Sequence, residues 1–190
     1  EQREIVPGRK DFFHCTWEEK SHPGFYAFGQ QFEKYGARLA NLDVAPTTAN
    51  LQQASVYIIV DPDHAKDKAN PNLMDETSAS AIAAWVNSGG TLLLMANDSF
   101  NCDLSHFNIL AGKFGMQFTN VRRNMVKNDV YEQGLVMSGS NKVFNGDYKM
   151  FLKEISTLTL QRPAKPVIVK DGEVLIATAK YGKGKVIAVG

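Results

Sequence analysis

The feature that most constrains this chain is a pair of short apolar runs with a helical pattern between them. The runs are SVYIIV (55–60) and TLLLMA (91–96), and the pattern between them stops at Gly89-Gly90. Apolar runs of this length, without polar alternation, read as strands buried on both faces of a sheet. Ile82, Trp85 and Val86 recur at helical spacing before the glycine pair. A glycine pair there supplies the conformation that ends a helix. Strand, helix and strand in that order predict a parallel crossover unit.

The pattern extends in both directions. In FYAFGQQFEKY (25–35), Phe25, Phe28, Phe32 and Tyr35 form one helical stripe, and Gly36 supplies its stop. Thr47 or Thr48 can cap a short turn through Leu51. DPDHAKDKANPN (61–72) reads as a polar loop, and Asn72 or its neighbours as the cap of a helix running to about Asn87. Asp75 and Glu76 favour the first turn of that helix. Ser105 reads as the cap of HFNILAGKF, with Phe107, Leu110 and Phe114 on one side and Gly115 as the stop.

Residues 25–118 thus alternate helix and strand, which predicts a parallel sheet with helices on both faces. From PVIVK to KVIAVG the pattern changes to a β-meander with tight turns at Asp171-Gly172 and GKG. Residues 121–160 read as strand-rich, with SGSN (138–141) as a loop. The expected fold is α/β: a flavodoxin-like three-layer sandwich with a parallel core sheet, extended by C-terminal antiparallel strands. Residues 1–190 read as one domain, with a partial strand and loop over 1–24 and a strand-rich extension over 121–190. The chain opens inside EQREIVPGRK and stops on an apolar strand, so it reads as a piece of something longer.

Composition removes several function classes. The 190 residues carry 21 basic and 20 acidic side chains. No single-sign field is available to steer nucleic acid or an anionic membrane. The Arg pair in VRRNMVK (121–127) reads as a solvated edge. No apolar run approaches the roughly 18 residues of a membrane span. Cys15 and Cys102 have no CxxC or Cys/His spacing around them, so no metal is expected. YGKGK (181–185) holds a GxG, but between two strands, where no dinucleotide fingerprint belongs. No cofactor is expected.

Ligands in open α/β sheets bind beyond the carboxyl ends of parallel strands. Two such ends carry polar clusters. Asp61, Asp63 and His64, with Asp67 further on, follow the first strand. Their oxygens suit a hard cation, but no glycine-centred loop with a closing Glu follows, and a Pro-stiffened solvated loop is the plainer role. Asn97, Asp98, Ser99, Asn101 and Cys102 follow the second strand. This is where a nucleophile elbow would sit, yet neither Ser99 nor Cys102 lies in a G-x-S/C-x-G setting, and Phe100 crowds Ser99. Asp98 and Cys102 are the catalytic candidates. Asp61, Asp63, His64, Asn97, Asp98 and Asn101 are the ligand-binding ones. A thiolate at Cys102 needs a base, for which His14, His22, His64 and His106 are available. Loop and cap hydrogen bonding is the commoner fate of Asn and Asp.

AAWVNSGGTLLLMANDS resembles the helix–Gly-Gly–strand segment of the class I glutamine amidotransferase-like superfamily, which includes trehalose-utilisation-type proteins and the middle domain of some β-galactosidases. WEEKSHPGFYAFGQQFEKYGARLANLDVAPTTANL, YIIVDPDHAKDKANPN, SHFNILAGKFGMQF, LKEISTL and AKYGKGKVIAVG extend the likeness over nearly the whole chain. Together they look like the amidotransferase-like domain that follows the catalytic barrel in bacterial unsaturated rhamnogalacturonyl hydrolases (glycoside hydrolase family 105/88-like). That resemblance implies a parent enzyme acting on pectin-derived oligosaccharides, with its catalytic aspartates on an (α/α)6 barrel outside this chain. The superfamily's nucleophilic Cys would fall after strand 91–96, where this chain has Asn97 and Asp98.

The expectation is therefore a non-catalytic accessory domain of a periplasmic or extracellular pectin- or rhamnogalacturonan-degrading hydrolase. Its expected partners are the catalytic domain of the same polypeptide and a pectic oligosaccharide, with no nucleic acid and no membrane. Two other readings stand beside it. One is an independent amidotransferase-like hydrolase using Cys102, Asp98 or a metal at Asp61/Asp63/His64. The other is a carbohydrate-binding module using the N-terminal aromatics Phe12, Phe13, Trp17, Phe25, Tyr26 and Phe28.

Overall fold

The structure is a computed structural model that describes residues 3–6, 9–12, 15–21, 24–66 and 70–190. Phe13, His14, His22 and Asp67 lie outside the described residues. The chain divides into two compact units, Glu1–Pro46 and Thr47–Gly190.

In the first unit, β1 (Arg3–Val6) and β2 (Arg9–Phe12) pair as an antiparallel hairpin. Helix α1 (Tyr26–Lys34) presents Phe28 and Phe32 to Trp17, whose ring stacks on Phe28 at 6.3 Å and meets Phe32 edge-on at 6.4 Å. Gly29 sits under the same indole, where a Cβ would come within 2.9 Å of Trp17 Cε3. Gly36, at φ +82°, ends the helix as the sequence implied. Tyr35 is not part of the stripe. It falls past the last helical turn and is 94% exposed.

The second unit begins with α2 (Thr48–Leu51), closed by a reciprocal capping box between Thr47 and Asn50. Then follow β3 (Val56–Val60), α3 (Glu76–Ser88), β4 (Thr91–Met95), α4 (Leu104–Gly112) and β5 (Met116–Arg123). A 3₁₀ turn at Tyr131–Gly134 leads into a small hairpin of β6 (Leu135–Met137) and β7 (Lys149–Phe151). The unit closes with β8 (Ile155–Leu160), β9 (Lys165–Lys170), β10 (Glu173–Tyr181) and β11 (Gly184–Val189).

The main sheet runs β3-β4-β11-β10-β8-β5, with β9 also paired to β10. Among the described residues, only β3, β4 and β11 are mutually parallel, in the register Val56↔Thr91↔Lys185. All other pairings are antiparallel. The sheet is thus mixed, and β5 departs from the expected parallel continuation by pairing antiparallel with β8. Helices α2, α3 and α4 contact one another in series, α3 lies against β11 and α4 against β5, so these three helices form one layer. The edge strand β3 is only half-buried, with Val56 42% exposed, rather than buried on both faces.

Two helix starts also differ from the sequence reading. Asp75, not Asn72, caps α3 by accepting from Ser78 N at 2.6 Å. Asp103, not Ser105, caps α4 by accepting from His106 N at 2.9 Å. In both cases a carboxylate outcompetes a neighbouring neutral side chain, as the positive helix end favours. Beneath the helices lie Ile82, Val86, Leu92, Leu94, Phe107, Leu110 and Phe114, all at 0% exposure. Phe107 stacks on Phe118 at 5.3 Å. A second core of Val136, Ile155, Ile168, Leu175 and Ile176 joins the antiparallel strands.

Candidate functional site

The carboxyl ends of β3 and β4 meet as the topology requires. Asp61 N continues the ladder by donating to Met95 O at 3.0 Å, and Asp61 takes a left-handed φ of 45° to turn the chain away. The next residues are engaged inside their own loop. Asp63 Oδ2 accepts from Asn72 N at 3.0 Å, and His64 Nδ1 accepts from Lys66 N at 3.0 Å. Lys66 bridges the two clusters: its Nζ donates to Phe100 O and, at 3.1 Å, to Asn101 Oδ1.

After β4 the chain is clasped by the antiparallel half of the sheet. Asn97 bridges to Ile155, its carbonyl accepts from Ser156 Oγ at 2.8 Å, and Asp98 N donates to Glu154 O at 2.8 Å. Asp98 is at 0% exposure. Its Oδ1 accepts from Phe100 N (3.0 Å), Asn101 N (3.2 Å) and Asn101 Nδ2 (3.1 Å), while Oδ2 takes the Arg122 Nε–H. A carboxylate has about four acceptor positions, so these donors nearly saturate it. Asp98 is built to hold the turn and has no face open to a reactant.

Cys102 is 1% exposed, and its thiol donates to Asn97 O at 3.2 Å and Asp98 O at 3.5 Å. Burial pushes its pKa far above the ordinary thiol value, and the charges of Asp61, Asp98 and Asp103 push the same way. The thiol is therefore protonated at neutral pH, the reverse of a catalytic cysteine. Among the described residues, no histidine takes part in its hydrogen bonds. His106 Nδ1 instead faces Asp103 Oδ2 at 3.0 Å. Burial raises the Asp103 carboxyl, but hydrogen bonds from the His106 amide and ring outweigh it and leave the pKa lowered.

The structure thus brings Asn97, Asp98, Asn101 and Cys102 into one hydrogen-bonded turn, linked through Lys66 to the loop that carries Asp63 and His64. Among the described residues, no three His, Cys, Asp or Glu side chains converge as a metal site. The Arg pair in VRRNMVK also departs from its expected role. Arg122 and Arg123 are not a solvated edge: Arg122 pins Asp98, and Arg123 pairs with Asp171 and Glu173. Strand alternation was the available signal, since neighbours on a strand must face opposite ways. Phe100 remains 64% exposed, with Lys66 Nζ 4.4 Å and the Arg122 guanidinium 5.6 Å from its ring centre.

These features define a mixed α/β domain whose elbow position is closed by an ion pair. No protein-family model matches the chain, and no curated protein matches it in sequence. Solved structures do match it in fold. The mmIFT52 N-terminal domain superposes with a TM-score of 0.63 at 18% identity, over 86% of this chain and 77% of that one. The cytoplasmic protein STM1381 from Salmonella typhimurium LT2 gives 0.53 at 19% identity, over 77% of this chain and 64% of that one. Gan42B, a GH42 β-galactosidase from G. stearothermophilus, gives 0.53 at 17% identity, over 94% of this chain but 25% of that one. The chain therefore spans about a quarter of the galactosidase. Among the described residues, no helix is long and apolar enough to cross a membrane.

Proposed function

We propose that this chain is a non-catalytic, amidotransferase-like accessory domain of a periplasmic or extracellular pectin- or rhamnogalacturonan-degrading glycoside hydrolase. It packs on the catalytic domain or shapes its cleft, and its fold is of the flavodoxin-like three-layer kind. One observation carries the reading: the elbow after β4 holds Asp98 at 0% exposure, bound by Arg122 and the loop amides, where a nucleophile would have to be exposed. The protonated, buried Cys102 supports it. So does the occurrence of this fold as about a quarter of a GH42 β-galactosidase chain, since the fold can accompany a glycosidase without being the whole of it.

The alternative reading as a sugar-binding module draws less support. Trp17, Phe25, Phe28 and Phe32 turn their rings on one another at 5.1–6.4 Å, which uses the surfaces a sugar would need.

The test is association. A catalytic barrel of the unsaturated rhamnogalacturonyl hydrolase kind, prepared without its own accessory domain, is mixed with this chain. Complex formation with a change in KM or thermal stability is the expected result. Neither association nor any change in the barrel overturns the proposal.

A further inference from the structure

The opposite end of the sheet, at the amino ends of β4 and β11, carries a cleft that none of the foregoing uses. It is an open cleft of about 670 Å³ lined by Lys165, Lys180, Lys183 and Lys185, together with Thr91 and Thr178. That volume lies in the usual range of roughly 300–1,000 Å³ for small-ligand pockets. Among the described residues, no Asp or Glu lines it.

The lysines come from three segments that the sheet register gathers. Lys165 lies opposite Thr178, and Lys180 lies opposite Lys185. Thr178 and Lys180 are two apart on β10, so Lys165, Lys180 and Lys185 share one face. Lys183 sits in the two-residue turn joining β10 to β11, where its amide donates to Asn87 O at 2.9 Å. Gly184 lets that turn sit against the α3 end, since a Cβ there would lie 2.1 Å from Val86 O. The hairpin is thereby anchored and its lysines have a fixed base.

Two charge facts point to a ligand. Among the described residues, no carboxylate lies within ion-pair distance of any of these lysines. Directly opposed like charges such as Lys180 and Lys185 also destabilise an antiparallel pair. In a chain whose net charge is only +1, this is a local concentration of one sign that the fold tolerates without an internal counter-charge. A bound anion would supply that counter-charge.

We propose that this cleft binds a small oligoanion carrying at least two acidic groups, held by Lys165, Lys180, Lys183 and Lys185. Lysine ammonium groups act as compact point charges without the planar fork of arginine, so charge and spacing select the ligand more than bidentate geometry does. This site is separate from the Asp98 elbow and does not rest on the accessory-domain reading.

The test is calorimetric titration of the chain with three probes at low ionic strength: an oligogalacturonate, inorganic triphosphate and a neutral galactan oligomer of matching length. Binding of either anion, weakened severalfold by raising salt from about 0.03 to 0.3 M, is expected. The Lys180→Gln/Lys185→Gln variant is expected to lose at least about tenfold in affinity. It also relieves the like-charge pair, so its unliganded Tm should match or exceed wild type, which separates lost binding from lost folding. The pattern of the two anions tells whether the acidic groups are carboxylates or phosphates. The proposal is overturned by absence of binding to both anions, by equal binding of the neutral oligomer, or by unchanged affinity in the double variant.

Discussion

Replacing Asp98 separates a structural elbow from a catalytic one. In Asp98→Ala, Phe100 N, Asn101 N and Asn101 Nδ2 lose their common acceptor, and Arg122 loses its carboxylate. These bonds are only part-buried, so the net cost is about 0.5–1 kcal/mol per bond. The Arg122 side chain is 42% exposed, which discounts its ion pair to about 1 kcal/mol. The expected destabilisation is about 3 kcal/mol, or a Tm lower by roughly 6–12 °C for a domain of this size. Asp98→Asn keeps the Oδ1 acceptor but turns an amide Nδ2–H donor towards the Arg122 Nε–H, losing both the charge and the acceptor there, so it should cost about 1–3 kcal/mol. Urea denaturation followed by circular dichroism at neutral pH measures both. If Asp98→Ala lies within about 0.5 kcal/mol of wild type, the carboxylate does not hold the turn and the reasoning fails.

Three further outcomes are expected. Cys102 should resist alkylation at neutral pH in the folded protein and react only with denaturant present, as peptide mass spectrometry would show; rapid native labelling would contradict its burial and raised pKa. Burial raises the Tyr57 hydroxyl from 10.0 to about 12. The unfolded phenol therefore ionises first, and stability falls by up to about 1.4 kcal/mol per pH unit as pH climbs from 10 towards 12; Tyr57→Phe should flatten that slope in alkaline denaturation. Gly184→Ala should prevent normal folding or cost upwards of about 3 kcal/mol, because the new methyl would sit 2.1 Å from Val86 O and 2.3 Å from Gly90 O. A soluble variant with wild-type Tm would show that the β10–β11 turn can move away from α3.

The local signals in the sequence proved sound where glycine punctuates the chain. Gly89 and Gly36 take positive φ and end their helices, and Asp171-Gly172, at φ 52° and 82°, makes the tight turn before β10. What was not legible depends on partners far along the chain. Direction of β5 is set by β8, whose residues follow some forty positions later in pairs such as Phe118↔Leu158. A hint was present: Met116 and Phe118 are buried while Gln117 between them is exposed, the period-two pattern of an antiparallel strand.

The site shows the same limit. The polar turn 97–102 was identifiable, but that Asp98 closes it required Arg122, which arrives from β5. The basic cleft was hidden because net charge averages over the surface, whereas Lys165, Lys180 and Lys185 become neighbours only through register.

The most direct measurement is turnover by this chain itself. Residues 1–190, confirmed as folded by circular dichroism, are incubated at high enzyme concentration with unsaturated galacturonyl-rhamnose and, separately, with glutamine. Release of product no faster than in a buffer blank is the expected result for an elbow locked by Asp98 and Arg122. Steady turnover of either substrate, lost in Asp98→Asn or in Cys102→Ser variants that remain folded, would contradict it.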